Sequence, residues 1–150
     1  MAQSLSNIYV HIIFSTKYRQ KLIKPEIEDE LYKYLGGICK ELECYPIKIG
    51  GHIDHVHILS SLSKKITLIK YLEEIKKSSS KWIKTKGNFY KDFYWQNGYG
   101  AFSVSPTQVN NIKRYIETQK EHHKKMTFQE EYIAFLNKYK IDYNEKYLWD

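Results

Sequence analysis

Sulfur is scarce in this chain: two cysteines, Cys39 and Cys44, stand among 150 residues. They lack the paired C-x-x-C spacing that would hold zinc or run a dithiol redox cycle, and both read as reduced thiols in or beside a core. Long apolar runs are missing too. No stretch approaches the roughly 18 uninterrupted apolar residues of a membrane span, and the first residues lack a charged segment followed by a long apolar one. The expected setting is cytoplasmic, with no membrane partner. No repeat or low-complexity linker divides the chain, so 150 residues with 42% hydrophobic content predict a single domain over residues 1–150. Acid is in short supply as well, with 17 Asp and Glu against 24 Lys and Arg and a formal net charge of +7. Such an excess favours a polyanionic partner, nucleic acid before others.

The positive charge is concentrated. Lys64, Lys65, Lys70, Lys76, Lys77, Lys81, Lys84 and Lys86 fall in one segment relieved only by Glu73 and Glu74. This is either a DNA-binding face or a solvated helix face. Aromatic residues make up 15% of the chain, and several adjoin basic residues, as in Lys17-Tyr18-Arg19 and Lys81-Trp82. Base stacking beside phosphate contacts is the functional reading; Trp82, next to Ile83, fits a core position equally well.

The β-branched and aromatic run at residues 8–14 reads as a buried strand that ends in a basic loop. Pro25 opens an amphipathic helix to about Glu43, with Ile27, Leu31, Tyr34, Leu35, Ile38 and Leu42 on one stripe. Residues 45–49 and 55–60 read as a hairpin turned at Gly50-Gly51. Leu68, Tyr71, Leu72, Ile75, Trp82 and Ile83 define a second helix, and residues 101–104 a fourth strand. The order βαββαβ predicts an α+β, ferredoxin-like fold: a four-stranded antiparallel sheet with helices on one face and the other face left free to bind. Ser105-Pro106-Thr107-Gln108 reads as a capping box that starts a C-terminal helix. On it Val109, Ile112 and Ile116 form the buried stripe beside a polar stripe of Asn111, Tyr115, Gln119 and His122. Thr127 with Glu130 caps a shorter helix to about residue 139, and the tail beyond has no clear period.

The chemistry gathers at His55-Val56-His57. On a strand His55 and His57 share one face while Val56 and Ile58 enter the core. Tyr115 and Gln119, four apart on a helix, can reach that same patch. Two imidazoles, an amide oxygen and a phenol point to a metal facing a nucleophile, and so to phosphoryl chemistry. Imidazoles alone would suit zinc, manganese, nickel or copper; Gln119, phosphate oxygens and water shift the balance toward Mg2+ or Mn2+. Asp54 is expected at the turn or outside the ligand shell, and His52, His122 and His123 at the surface or facing DNA.

Five stretches carry a family resemblance: Phe14-Ser15-Thr16-Lys17-Tyr18-Arg19, Asp54-His55-Val56-His57-Ile58-Leu59, Lys77-Ser78-Ser79-Ser80-Lys81-Trp82-Ile83, Trp95 to Val104 with its Asn97-Gly98-Tyr99-Gly100 centre, and Tyr115-Ile116-Glu117-Thr118-Gln119. With them in this order, the sequence resembles the single-tyrosine HUH transposases of the insertion sequence 200/605 type. The resemblance implies a homodimeric nuclease that acts on single-stranded DNA bearing hairpins at the element's ends. Base pairing within the DNA would help choose the cleavage site. It implies that His55, His57 and Gln119 hold a divalent metal and that Tyr115 attacks the scissile phosphate, leaving a 5′-phosphotyrosine link and a free 3′-hydroxyl. The active site would be shared between subunits, and the protein would sit on the nucleoid when bound. Lys17, Arg19, Lys76, Lys77, Lys81 and Trp82 are the expected DNA contacts. Two rivals stand beside this reading. A domesticated relative would process chromosomal repeat hairpins with the same chemistry. A non-enzymatic RNA-binding or single-strand-binding ferredoxin-like module would need a Lys/Arg-Gly-Phe/Tyr run on a central strand, which the chain lacks.

Overall fold

The computed structural model describes residues 2–150. β1 (Tyr9–Ser15) runs through the middle of the molecule and is buried along nearly its whole length, as a continuous apolar run requires. It is followed by α1 (Pro25–Glu41), β2 (Pro46–His52), β3 (His55–Ser61), α2 (Leu68–Ile83) and β4 (Gly100–Val104). Every strand pair is antiparallel, in the order β2-β3-β1-β4. This is the ferredoxin-like split βαβ arrangement, with β3 inserted between β1 and β2.

Alternation along the strands sorts the core. Ile12 and Phe14 of β1 with Val56 and Ile58 of β3 face α1 and α2, packing on Leu31, Leu35, Tyr71, Leu72 and Ile75. The opposite face was expected to lie open, and it does not. α3 (Val109–Glu117), α4 (Gln119–His122) and α5 (Phe128–Lys138) follow β4, and a short α6 (Glu145–Leu148) closes the chain. Ile116 packs with Leu59 and Val104. Phe128, Tyr132, Phe135 and Leu136 of α5 cover Ile13 and Phe102. Each such side chain removed from water contributes about 1.5–3 kcal/mol, which is why this face is covered and not left as a platform. α5 starts at Thr127, whose hydroxyl accepts from Glu130 N while the Glu130 carboxylate accepts from Thr127 N, the reciprocal cap its sequence announces.

Three further expectations change. Gly50 and Gly51 are not the hairpin turn: both lie inside β2, opposite His57 and Val56, and the chain reverses at Ile53-Asp54. Their reason is close approach. A Cβ on Gly50 would lie 2.8 Å from Ile116 Cγ2, and one on Gly51 2.2 Å from the His55 carbonyl oxygen. The Ser105 capping box does not form, because Pro106–Gln108 is a 3-10 turn and the Ser105 hydroxyl meets Thr107 Oγ1 at 3.0 Å. Finally, the helix carrying Tyr115 stops at Glu117. Thr118, at φ −104° and ψ 22°, separates it from α4, so Tyr115 and Gln119 sit on different helical segments.

Candidate active site

β3 aims His55 and His57 at the face covered by α3 and α5, and both imidazoles are fully buried. The turn residue Asp54 takes His55 Nδ1 at 2.8 Å, which fixes the ring with Nε2 directed inward. His57 Nδ1 meets His11 Nε2 of β1 at 2.8 Å. Across the break at Thr118, Gln119 is buried and places Oε1 3.0 Å from His55 Nε2. Tyr115, at the edge of the same cluster, packs edge-on against the His57 ring at 5.8 Å.

The residue at the centre is Glu131 of α5. Its Oε1 lies 3.1 Å from His57 Nε2, 3.4 Å from His55 Nε2 and 3.2 Å from His123 Nε2. Its Oε2 accepts from Gln119 Nε2 at 3.0 Å and from the Tyr115 hydroxyl. Sequence reasoning missed it, although one signal was present: a charge on the apolar stripe of Phe128, Tyr132 and Phe135. His123, expected at the surface, has a side chain only 4% exposed and shares Gln119 Oε1 at 3.0 Å.

The electrostatics follow from these contacts. Burial works to lower the His55 pKa, but hydrogen bonds to Asp54 and Glu131 overcome it and raise the value to about 9. Burial wins at His57 and lowers its pKa despite the Glu131 bond. His11, buried beside His57, is lowered further. At Glu131 burial is outweighed by hydrogen bonds from His123, His55 and His57, which hold the carboxyl far below the usual range. Burial and the Glu131 charge push the Tyr115 phenol well above its ordinary value.

These residues fit a divalent cation. One donor atom each from His55, His57 and Glu131 lie within 4.8 Å of one another, and Gln119 Oε1 adjoins them. Two imidazoles, a carboxylate and an amide oxygen form a mixed nitrogen and oxygen set suited to manganese, zinc or, with its oxygen share, magnesium. The buried carboxylate also needs a positive partner, a place that the His55 proton fills in this geometry.

The expected DNA contacts divide. Beside the cluster opens a groove of about 620 Å³ lined by Tyr18, Arg19, Lys21, His52, Lys124 and Lys125 among others. Tyr18 and Arg19 both take left-handed backbone angles, φ 58° and 55°, a conformation that costs about 1–3 kcal/mol per residue. Tyr18 is left 70% exposed at the groove, with the Lys17 ammonium over its ring. The lysine-rich helix α2 instead packs on the opposite face of the sheet. There Lys77 and Lys81 are exposed. Lys76 is not turned outward: its ammonium donates to the carbonyls of Gln96, Asn97 and Gly98 at 2.6–3.0 Å, and burial lowers its pKa to about 8. Trp82 stacks on Tyr34 of α1 at 4.7 Å and so belongs to the packing between α1 and α2.

Known proteins resemble this chain in sequence and shape. ISDra2 transposase TnpA of Deinococcus radiodurans is 25% identical over 114 residues, 73% of this chain and 81% of that protein. A crystal structure assigned as a transposase of Deinococcus radiodurans R1 superposes with a TM-score of 0.62 at 22% identity, over 79% of this chain and 98% of the other. The structure of a REP-associated tyrosine transposase bound to a REP hairpin superposes at 0.57 and 11% identity, over 82% and 74%. These two likenesses speak for the fold. The family described as "Transposase IS200 like" matches residues 4–119, a segment that holds His55, His57, Tyr115 and Gln119 and ends before Glu131. With more than half its length matched, the chain belongs to the IS200-like transposase family.

Proposed function

We propose that this chain cleaves and rejoins single-stranded DNA, with Tyr115 as nucleophile beside a divalent cation held by His55, His57, Gln119 and Glu131. The observation that carries the reading is the convergence on Glu131: its carboxylate contacts both imidazole Nε2 atoms and the tyrosine hydroxyl. A phenol is a weak nucleophile at neutral pH. When bound, Mg2+ or Mn2+ would polarise the scissile phosphate and offset the charge that builds in the transition state. His55 and His57 then serve as ligands and not as bases, with Asp54 orienting His55. Tyr115 Oη bonds to phosphorus as the bond from phosphorus to the 3′ oxygen breaks. Glu131 Oε2 orients the phenol through its hydrogen bond, the phenol proton is lost to solvent as the bond to phosphorus forms, and the departing 3′ oxygen takes a proton from solvent. A 5′-phosphotyrosine and a free 3′-hydroxyl result, and the reverse steps rejoin the strands.

The single strand would follow the groove past Arg19, Lys21, Lys124 and Lys125, with Lys17 at its edge. Lys77 and Lys81, on the far side of the sheet, would meet a more distant part of the DNA, such as a hairpin stem. Lys76 and Trp82 would support binding indirectly, by bracing the 96–98 loop and α2. The protein would work as a homodimer and as one nuclease unit, since α5 supplies Glu131. Tyr115 already meets the histidines of its own chain through Glu131, so a site shared between subunits would require α3 to leave this packing. A stacking module for RNA is disfavoured, because α3 and α5 cover the sheet face such modules use. The test is incubation with labelled single-stranded DNA from the gene's flanks and Mg2+ or Mn2+, read on a denaturing gel. A covalent adduct that disappears in Tyr115→Phe and with chelator is expected. Tight binding without adduct on any hairpin-bearing strand would overturn the reading.

A further inference from the structure

His11 and His57 are neighbours on the two central strands, on the sheet face covered by α3 and α5, and both are fully buried. Their rings lie 5.1 Å apart at 24°, with His11 Nε2 2.8 Å from His57 Nδ1. Phe102 and Phe135 close around His11 edge-on, and its second nitrogen, Nδ1, has no hydrogen-bond partner. A buried polar atom left unpaired calls for an explanation.

We propose that His11 is a positioning residue that selects the metal-binding tautomer of His57. The proposal rests on the reading of His57 as a metal ligand. A neutral imidazole has one N–H and one lone pair. To offer its Nε2 lone pair to a cation, His57 must carry its proton on Nδ1, and that proton needs an acceptor. His11 Nε2 is the acceptor in reach. His11 then carries its own proton on the unpaired Nδ1. In the metal-free geometry the roles reverse: His57 Nε2–H donates to Glu131 Oε1, and His57 Nδ1 accepts from His11 Nε2–H. A side chain fixed on one nitrogen could not serve both states. A second imidazole can, because either tautomer of His11 fits the same pocket, and this accounts for the unpaired nitrogen.

The test compares wild type with His11→Phe, which keeps an aromatic ring but accepts nothing, and His11→Gln, whose amide oxygen can take the place of Nε2. Mn2+ affinity is read by calorimetry on folded protein, and the His57 tautomer by 15N-histidine spectra of protein loaded with Zn2+ as a diamagnetic probe. Affinity should fall by about 10–100-fold in folded His11→Phe, with His11→Gln within about threefold of wild type. His57 should be protonated on Nδ1 in loaded wild type and in His11→Gln. Wild-type affinity in folded His11→Phe would overturn the proposal. So would an equal loss in both variants, which would mark His11 as packing alone; if His11→Phe fails to fold, the His11→Gln arm and its spectra decide. A wild-type protein that binds no Mn2+ would instead remove the metal reading underneath.

Discussion

Glu131 and Tyr115 share a hydrogen bond between α5 and α3, while the other carboxylate oxygen lies 3.1 Å from His57 Nε2. One side chain thus ties the proposed nucleophile to the metal-ligand candidates. Glu131→Gln keeps the shape and removes the charge, so Mn2+ affinity should fall by about tenfold or more. Glu131→Ala leaves the Gln119 amide, the Tyr115 hydroxyl and the imidazoles without their shared partner, and urea unfolding should report a loss of about 3–5 kcal/mol. Unchanged Mn2+ binding in Glu131→Gln would exclude the carboxylate from the ligand set.

Tyr115→Phe separates chemistry from binding. The phenol holds no ligand atom and only orients the Glu131 carboxylate, so calorimetry should show Mn2+ affinity lowered by no more than about tenfold while the covalent adduct disappears. An adduct surviving in this variant would assign the nucleophile elsewhere.

Gly50 places α3. Its missing Cβ leaves room for Ile116, one residue from Tyr115. Gly50→Ala should cost about 1–3 kcal/mol through overpacking and slow adduct formation by displacing the tyrosine. Gly37, inside α1 with no atom within 4 Å of an added Cβ, is the control: Gly37→Ala should add about 0.4–1 kcal/mol. Chemical denaturation of the two variants should move in opposite directions.

In the proposed function the basic groove and α2 would meet different parts of the DNA. Alanine at Arg19, Lys124 and Lys125 should flatten the salt dependence of binding to an unstructured strand, by about 0.7 in log–log slope for each phosphate no longer neutralised. Alanine at Lys77 and Lys81 should weaken a hairpin more than the unstructured strand. Equal effects of both sets on both DNAs would remove the division of labour.

Much of this was legible from residues close in sequence. The His55-Val56-His57 alternation, the α2 stripe and the Thr127 cap are set by spacings of two to four residues, and each stands in the structure. What failed depends on distant partners. Gly50-Gly51 read as a turn because glycine serves reversal and close approach alike, and only the packing of Ile116 tells them apart. The apolar stripe of α5 was visible, but nothing local said that it would close over the sheet. Glu131 lies 74 residues from His57, and without the fold its charge was one acid among several. Tyr115 and Gln119 were paired by helical spacing, yet they meet the histidines across a break at Thr118.

The complete burial of His55 and His57 has a kinetic consequence. With α5 seated, His55 and His57 are 0% exposed, so uptake of the proposed cation would wait on a transient lifting of that helix. Loading should therefore approach a ceiling rate as the ion concentration rises, set by the opening frequency of α5 and not by diffusion. A cation once enclosed should leave as slowly as the helix permits.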